Sequence, residues 1–197
     1  MTYLMPWRCS PSSFRGLRGL RYELFRDRVE EVVMKIRVAG ITQDSIVDGK
    51  GLRFVVFTQG CPHRCKGCHN PETHTLYGGK MMEVEEVIAQ MDANPLCDGL
   101  TLSGGEPFFQ QFACAEIAKA AKARGMNVWC YTGYTLQQLE KHVPNADVLL
   151  REVDVLVDGR YVQELRSLEL DYRGSTNQRV IDMNASRETG EITLLYK

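Results

Sequence analysis

The sequence predicts an α/β domain with a parallel, curved sheet, in the form of an incomplete TIM-type β/α barrel. From Leu52 onward, short apolar runs alternate with segments of helical periodicity, which is typical of parallel strands joined by crossover helices. A closed eight-unit barrel needs about 250 residues, whereas this chain has 197. The unusual residues follow directly after predicted strands. We therefore expect an incomplete barrel or open curved sheet with a site at the carboxyl ends of its strands.

Short apolar runs are predicted as the strands of this sheet. The four runs that alternate with helical segments are residues 52–58, 99–103, 127–131 and 153–157. Further strands are predicted at residues 34–40, 179–183 and 191–196, with a turn at 188–190 before the last of them.

Three amphipathic helices are predicted between these strands. Residues 84–91 carry apolar side chains at i, i+3, i+4 and i+7, a spacing that places them on one helical face. A second apolar stripe covers residues 114–121 and is ended by Gly125. The third helix is expected to begin at Thr135, because Thr135 and Gln138 form a capping-box pattern.

The composition is ordinary for a globular protein, with 44% hydrophobic and 25% charged residues. A net charge of -1 provides no electrostatic case for binding nucleic acid. No apolar run approaches the roughly 20 residues of a membrane-spanning helix, and the start of the chain lacks the pattern of a signal peptide. We therefore expect a cytoplasmic protein with no nucleic-acid or membrane partner.

The first 33 residues differ from the remainder of the chain. Up to Arg21 they contain four arginines, three serines and no acidic residue. An organelle transit peptide has a similar composition, but this stretch lacks a clear amphipathic repeat. We expect residues 1–33 to be a dispensable or poorly ordered extension, with Met34 a candidate natural start and residues 34–197 forming a single domain.

Three of the seven cysteines lie in one loop, where Cys61, Cys65 and Cys68 are spaced C-x3-C-x2-C. Clustered cysteines in a chain without a secretion signal favour metal binding over disulfides. Three thiolates would leave one iron of a cubane iron–sulfur cluster free to bind a small molecule. The alternative is structural zinc with His63 or His69 as a fourth ligand, and spacing alone leaves both open. The other four cysteines are interpreted as small buried or incidental residues.

Three further stretches follow predicted strands and are expected to meet the cysteine loop at one mouth. In the first, Ser103 precedes Gly104 and Gly105, which let the backbone approach a ligand closely, and Glu106, which offers a carboxylate to an ammonium group. The others are residues 131–134, with two tyrosines, and 158–160, where Asp158 and Arg160 could hold hydroxyls or a carboxylate. Each stretch alone is also compatible with an ordinary turn.

Together these motifs resemble the radical S-adenosylmethionine (SAM) superfamily, and within it the activases of glycyl-radical enzymes. The resemblance rests on the C-x3-C-x2-C loop closed by Cys68-His69-Asn70, on Asp48-Gly49-Lys50-Gly51-Leu52-Arg53, and on Gly104-Gly105-Glu106-Pro107. Residues 129–134, 154–161 and 172–179 are similar to the activating proteins of anaerobic (class III) ribonucleoside-triphosphate reductases. The resemblance covers roughly residues 34–183.

The resemblance implies a [4Fe-4S] cluster, SAM and a protein partner. Electron transfer to SAM would yield methionine and a 5′-deoxyadenosyl radical, which would take hydrogen from a glycine of the partner reductase. No residue need act as an acid or base, and a flavodoxin-type protein would supply the electron. The implied site residues are Cys61, Cys65 and Cys68 for the cluster, Ser103, Gly104, Gly105 and Glu106 for the methionine end, Gly67 and His69 for the adenine, and Asp158 and Arg160 for the ribose and carboxylate.

Three alternatives remain beside this interpretation. The first is an activase of another glycyl-radical enzyme, such as one of the pyruvate formate-lyase type. The second is a radical SAM enzyme that acts on a small molecule. The third is a non-catalytic zinc-binding module.

Overall fold

The structure is a computed structural model that describes residues 33–196. The predicted extension therefore lies outside the described residues, apart from Val33. Within the described part of the chain, no helix is both long enough and apolar enough to cross a membrane.

One mixed sheet organises these residues. Its strands are β1 (Lys35–Ser45), β2 (Arg53–Thr58), β3 (Lys80–Glu83), β4 (Gly99–Gly104), β5 (Asn127–Tyr131), β6 (Val155–Asp158), β7 (Arg179–Asp182) and β8 (Thr193–Leu194). Their order across the sheet is β3-β1-β2-β4-β5-β6-β7-β8. The chain is thus of the mixed α/β class with a parallel-containing sheet.

The prediction of a parallel sheet holds for the four central strands and is wrong at the edges. Strands β2, β4, β5 and β6 are parallel to one another, whereas the pairs β1–β2, β1–β3, β6–β7 and β7–β8 are antiparallel. Residues 46–52, which connect β1 to β2, are fewer than the roughly dozen residues that a parallel crossover needs. A hairpin is therefore the only pairing that this connection allows.

Five helices of the described residues contribute side chains to one core, and all but the last, which follows β7, lie between parallel strands. They are α1 (Val84–Asp92), α2 (Gln111–Ala123), α3 (Leu136–His142), α4 (Ala146–Leu150) and α5 (Met183–Thr189). The three predicted helices are confirmed. The predicted capping box is present, since Thr135 Oγ1 accepts the Gln138 N–H at 3.2 Å and Gln138 Oε1 accepts the Thr135 N–H at 2.9 Å.

The two faces of the sheet have different roles. Successive side chains of a strand point to opposite faces, and Phe54, Leu100 and Leu156 belong to the fully buried core that includes helical residues. The opposite face carries Arg53 and Trp129. The main core therefore lies between sheet and helices, and the other face carries a smaller buried cluster of Trp129, Val157 and Val180 beside the candidate site.

Arg53, the first residue of β2, links β2 to strands β4 and β5 on this second face. It is fully buried, and its guanidinium donates to Thr101 Oγ1 at 3.0 Å, to Asn127 Oδ1 at 2.6 Å and to three backbone carbonyls. The guanidinium carbon lies 5.7 Å from the centre of the Trp129 ring. Burial lowers the pKa of Arg53 to about 10, so the side chain keeps its charge at neutral pH. Within the 48–53 motif, Arg53 thus has a structural role.

Candidate active site

A cavity of about 510 Å³ lies at the carboxyl ends of the parallel strands. The three loop cysteines, Gly104, Gly105, Tyr131 and Gly159 all line it, so each of the four central strands contributes to its wall. The expected convergence of four separate stretches on one mouth is therefore observed. Phe57, Ser103, His69 and Tyr172 also line the cavity.

The three cysteine side chains are free thiols, and all are partly buried. The loop is held at its ends, because the Cys61 N–H donates to the His74 carbonyl at 3.4 Å and the Cys68 N–H donates to the Cys65 carbonyl at 3.2 Å. Burial raises the pKa of the Cys61 and Cys68 thiols. Iron would have to displace the thiol protons on binding, since the thiolate is the metal ligand.

The donor set fits an iron–sulfur cluster better than a single metal ion. Within residues 33–196, no group of three or more His, Cys, Asp or Glu side chains is arranged to hold one ion. His63, a fourth ligand in the zinc alternative, instead lies 2.8 Å from a Glu106 oxygen. A cubane cluster needs no convergence on one atom, because each thiolate binds a different iron. Three thiols that line one cavity of about 510 Å³ meet that requirement.

Gly104 and Gly105 are glycines for a steric reason. Gly104 has a φ of 89°, and a Cβ there would lie 2.7 Å from the Phe57 Cα atom. A Cβ on Gly105 would lie 2.5 Å from the Gly60 carbonyl oxygen. The turn is therefore packed against the end of β2 on one side and lines the cavity on the other, so bare backbone is available to a ligand.

The carboxylate of Glu106 lies beneath the cavity wall. Glu106 is fully buried and accepts hydrogen bonds from the Phe108 N–H at 3.1 Å, the Thr132 hydroxyl at 2.9 Å and the Gly133 N–H at 2.9 Å, besides its contact with His63. Both oxygens are thus used by the protein. The sequence predicted a ligand contact here and did not predict the link to His63, 43 residues away.

The predicted roles of Asp158 and Arg160 at the ribose and carboxylate stay a prediction, and neither residue is among those that line the cavity. Asp158 is buried, accepts the Leu136 N–H at 2.8 Å and pairs with Arg179, whose Nε lies 2.9 Å away. This carboxylate therefore anchors the start of α3 and raises the pKa of Arg179 through a hydrogen bond. Arg160 donates to the His63 carbonyl and thus supports the cysteine loop.

A long connection between β6 and β7, residues 159–178, contacts the cysteine loop; we call it the β6–β7 loop. The ring of Tyr161 lies 5.0 Å from that of His69, centre to centre. A Cβ on Gly67 would lie 2.9 Å from Gln163 Oε1, so Gly67 lies against Gln163 and does not line the cavity. His69 does line it. No sequence motif indicated Gln163 or Tyr161 as contacts of the cysteine loop.

Comparison with known proteins accounts for these features. Residues 47–181 match the family model described as "4Fe-4S single cluster domain". A Vibrio cholerae protein named anaerobic ribonucleoside-triphosphate reductase-activating protein is 37% identical over 141 residues, which cover 68% of this chain and 89% of that protein. The chain belongs to this family of reductase-activating proteins.

Other members of the activating-protein family support the same assignment. The Escherichia coli K12 member is 36% identical over 144 residues, covering 68% of this chain and 91% of that protein. The member from phage T4 is 34% identical over 140 residues, covering 68% and 86%. The resemblance inferred from the motifs is confirmed, and the matched region 47–181 contains the cysteine loop, the glycine turn and the β6–β7 loop.

Proposed function

We propose that this chain is a radical SAM activase that generates a glycyl radical on anaerobic ribonucleoside-triphosphate reductase. The observation that carries the proposal is the cavity in which three cysteine thiols and the bare backbone of Gly104 and Gly105 meet. Among the described residues, no fourth cysteine lines this cavity, so one iron of a [4Fe-4S] cluster is left for SAM. The names of the family members supply the reductase as the partner.

Cys61, Cys65 and Cys68 hold the [4Fe-4S] cluster in this proposal. When bound, the cluster would supply the electron for the reductive cleavage of SAM, and the fragment so formed would take one hydrogen atom from a glycine of the reductase. The hard chemistry belongs to the cofactors. The chain's own residues bind and orient them and keep water away from the reacting atoms.

We assign to the remaining wall residues roles that agree with their positions around the cavity. Ser103, Gly104 and Gly105 would present polar backbone to the methionine end of SAM. His69 would lie near the adenine, with the tilted ring of Tyr161 beside it on the same cavity wall. Glu106 acts on this wall from beneath, through Thr132 and Gly133, instead of through direct contact. Asp158, Arg160 and Gly67 support the wall from outside the cavity in the same way.

Three further parts of the proposal concern the surroundings of this site. The four parallel strands, with the cavity at their carboxyl ends, support an incomplete TIM-type barrel. The free thiols suit a reducing, cytoplasmic compartment, and a flavodoxin-type protein is the proposed electron donor. Val47 lines the cavity yet is 73% exposed, beside Ile46 at 74%. This open apolar rim suits a polypeptide substrate better than an enclosed small molecule.

An anaerobic activation assay tests the proposed function. The chain, loaded with iron and sulfide, is mixed with SAM, a reductant and either the anaerobic reductase or a pyruvate formate-lyase. We expect a glycyl-radical EPR signal on the reductase together with formation of 5′-deoxyadenosine. A signal on the lyase alone would favour the alternative activase, and a colourless zinc protein without iron would overturn the radical chemistry.

We also propose that residues 1–33 are dispensable for the domain. The described residues form an eight-stranded sheet that begins at Lys35 and a core packed on it, and the matched family region begins at residue 47. A variant that begins at Met34 is expected to keep the thermal unfolding midpoint and the iron content of the full chain. A truncated chain that does not fold, or that binds no cluster, would contradict this domain boundary.

A further inference from the structure

We propose that His63 is a positioning residue that sets the geometry of the cysteine loop around the cluster by tying the loop to Glu106. The inference rests on the proposed function in one respect, namely that the three thiols hold an iron–sulfur cluster. It assigns a role to a residue that the chemistry described above does not use.

His63 lies midway between two of the thiols, two residues from Cys61 and two from Cys65. Its neighbours Pro62 and Arg64 are exposed, whereas the His63 side chain is only 10% exposed. The imidazole therefore turns inward between two exposed neighbours. Its Nε2 lies 2.8 Å from Glu106 Oε2, a length typical of a hydrogen bond to a carboxylate.

Glu106 is a rigid anchor for this contact. Its carboxylate has no exposure and also accepts from the Phe108 and Gly133 N–H groups and from the Thr132 hydroxyl. Hydrogen bonds of this kind are strong in a buried setting, where rotation of the carboxylate would leave several donors unpaired. The position of the His63 ring is therefore fixed by the ends of β4 and β5.

Packing holds the ring as well as hydrogen bonding. The Tyr134 ring meets it edge-on, with 4.5 Å between ring centres and 73° between planes. A Cβ on Gly133 would lie 2.3 Å from His63 Cδ2, so the ring occupies the space that any side chain at 133 would need. The His63 carbonyl accepts from Arg160 of the β6–β7 loop. Contacts with neighbouring residues thus fix both the ring and the backbone of His63.

The held backbone bears on Cys61 directly. Burial raises the pKa of the Cys61 thiol, and the nearby backbone N–H groups of His63 and Arg64 oppose this effect. Arg64 adopts a left-handed φ of 48°, which is unfavourable for a side chain larger than glycine. A local conformation of this kind persists only when surrounding contacts impose it. Hydrogen bonds to cluster sulfurs raise the reduction potential, because they stabilise the more negative reduced state. We infer that the anchor of His63 keeps these two N–H groups close to the sulfur.

The test compares cluster loading and potential in three variants of the full chain with those of the wild type. His63→Leu removes the hydrogen bond at similar volume, and His63→Gln restores an N–H donor. Lys66→Ala is the matched control in the same loop, because Lys66 is exposed and its ammonium lies 3.4 Å from the exposed Glu164. After anaerobic reconstitution, iron and sulfide per chain and the midpoint potential are measured, the latter by redox titration followed by EPR without SAM.

For His63→Leu we expect a several-fold loss of iron and a shift of the remaining cluster to a more negative potential. His63→Gln is expected to recover most of both, and Lys66→Ala to match the wild type. Gly133→Ala displaces the ring without altering a polar group, so the same negative shift is expected. If His63→Leu fails to fold, Gly133→Ala decides the matter.

If His63→Leu has the iron content and the midpoint potential of the wild type, the inference is overturned and the proposed function is left intact. The same holds for Gly133→Ala if His63→Leu does not fold. An equal loss in Lys66→Ala would also overturn it, because the effect would then belong to any change in the loop. A wild-type chain that takes up no iron–sulfur cluster would overturn both proposals, so the two failures are distinguishable.

Discussion

Replacement of Cys65 by alanine is expected to abolish cluster binding and, with it, the cleavage of SAM. Cys65 lines the cavity together with Cys61 and Cys68, and no further cysteine among the described residues lines it. With three protein ligands for four irons, loss of one thiolate leaves half of the irons without a protein ligand. Iron content after anaerobic reconstitution and the rate of 5′-deoxyadenosine formation should both fall to background.

A change of another cysteine provides the control for this experiment. Cys97 lies outside the cavity, and its thiol donates to the Gln43 carbonyl at 2.9 Å, a bond that the hydroxyl of Cys97→Ser can also make. Cys97→Ser should therefore keep wild-type iron content and activity. A Cys65→Ala chain that forms 5′-deoxyadenosine at the wild-type rate would show that the cluster is held elsewhere.

Replacement of Arg53 by methionine is expected to lower the free energy of unfolding by about 3 kcal/mol. Methionine can fill much of the space but donates no hydrogen bond, so buried acceptors such as Thr101 Oγ1 and the Leu100 carbonyl lose a partner. Each unpaired buried group costs roughly 1–3 kcal/mol. Removal of a charge that is costly to bury, as the lowered pKa of Arg53 indicates, offsets part of that loss.

Urea unfolding of the apo chain measures this effect without interference from the cluster. Arg151→Met is the matched control, because Arg151 forms an exposed i,i+4 ion pair with Asp147, and such pairs contribute only about 0.3–0.5 kcal/mol. The transition of Arg53→Met should move to lower urea with an unchanged slope. A midpoint equal to that of Arg151→Met would contradict a structural role for the buried guanidinium.

Periodic patterns explain which parts of the fold could be predicted from sequence. The four central strands and helices α1 to α3 have regular apolar spacing or a cap signal, and the structure confirms them. Helix α4 is too short to show periodicity and follows Asn145 in a left-handed conformation with φ of 59°. Strand β3 is a four-residue edge strand with one buried side chain. Helix α5 had a usable signal that was missed, namely Asp182, which accepts the N–H groups of Asn184 and Ala185.

The candidate site was predictable in its location but not in its side-chain pairing. Strand ends of a parallel sheet meet at one edge, so the four stretches had to converge. The partner of a buried carboxylate has no periodic signature, however. Glu106 and His63 are joined by folding alone, and the same holds for Asp158 and Arg179. Glu106 and Asp158, both expected at the ligand, are thus held by protein partners that no sequence motif indicated.

The contact between the β6–β7 loop and the cysteine loop has a consequence for biosynthesis. Arg160 and His63 are 97 residues apart in the chain, and synthesis at about 5–20 residues per second puts roughly 5–20 s between them. During that interval the newly made thiols lack both the later segments of the cavity wall and the β6–β7 loop. We therefore expect iron and sulfide to be loaded after translation ends, on a folded chain whose cysteines the cell has kept reduced.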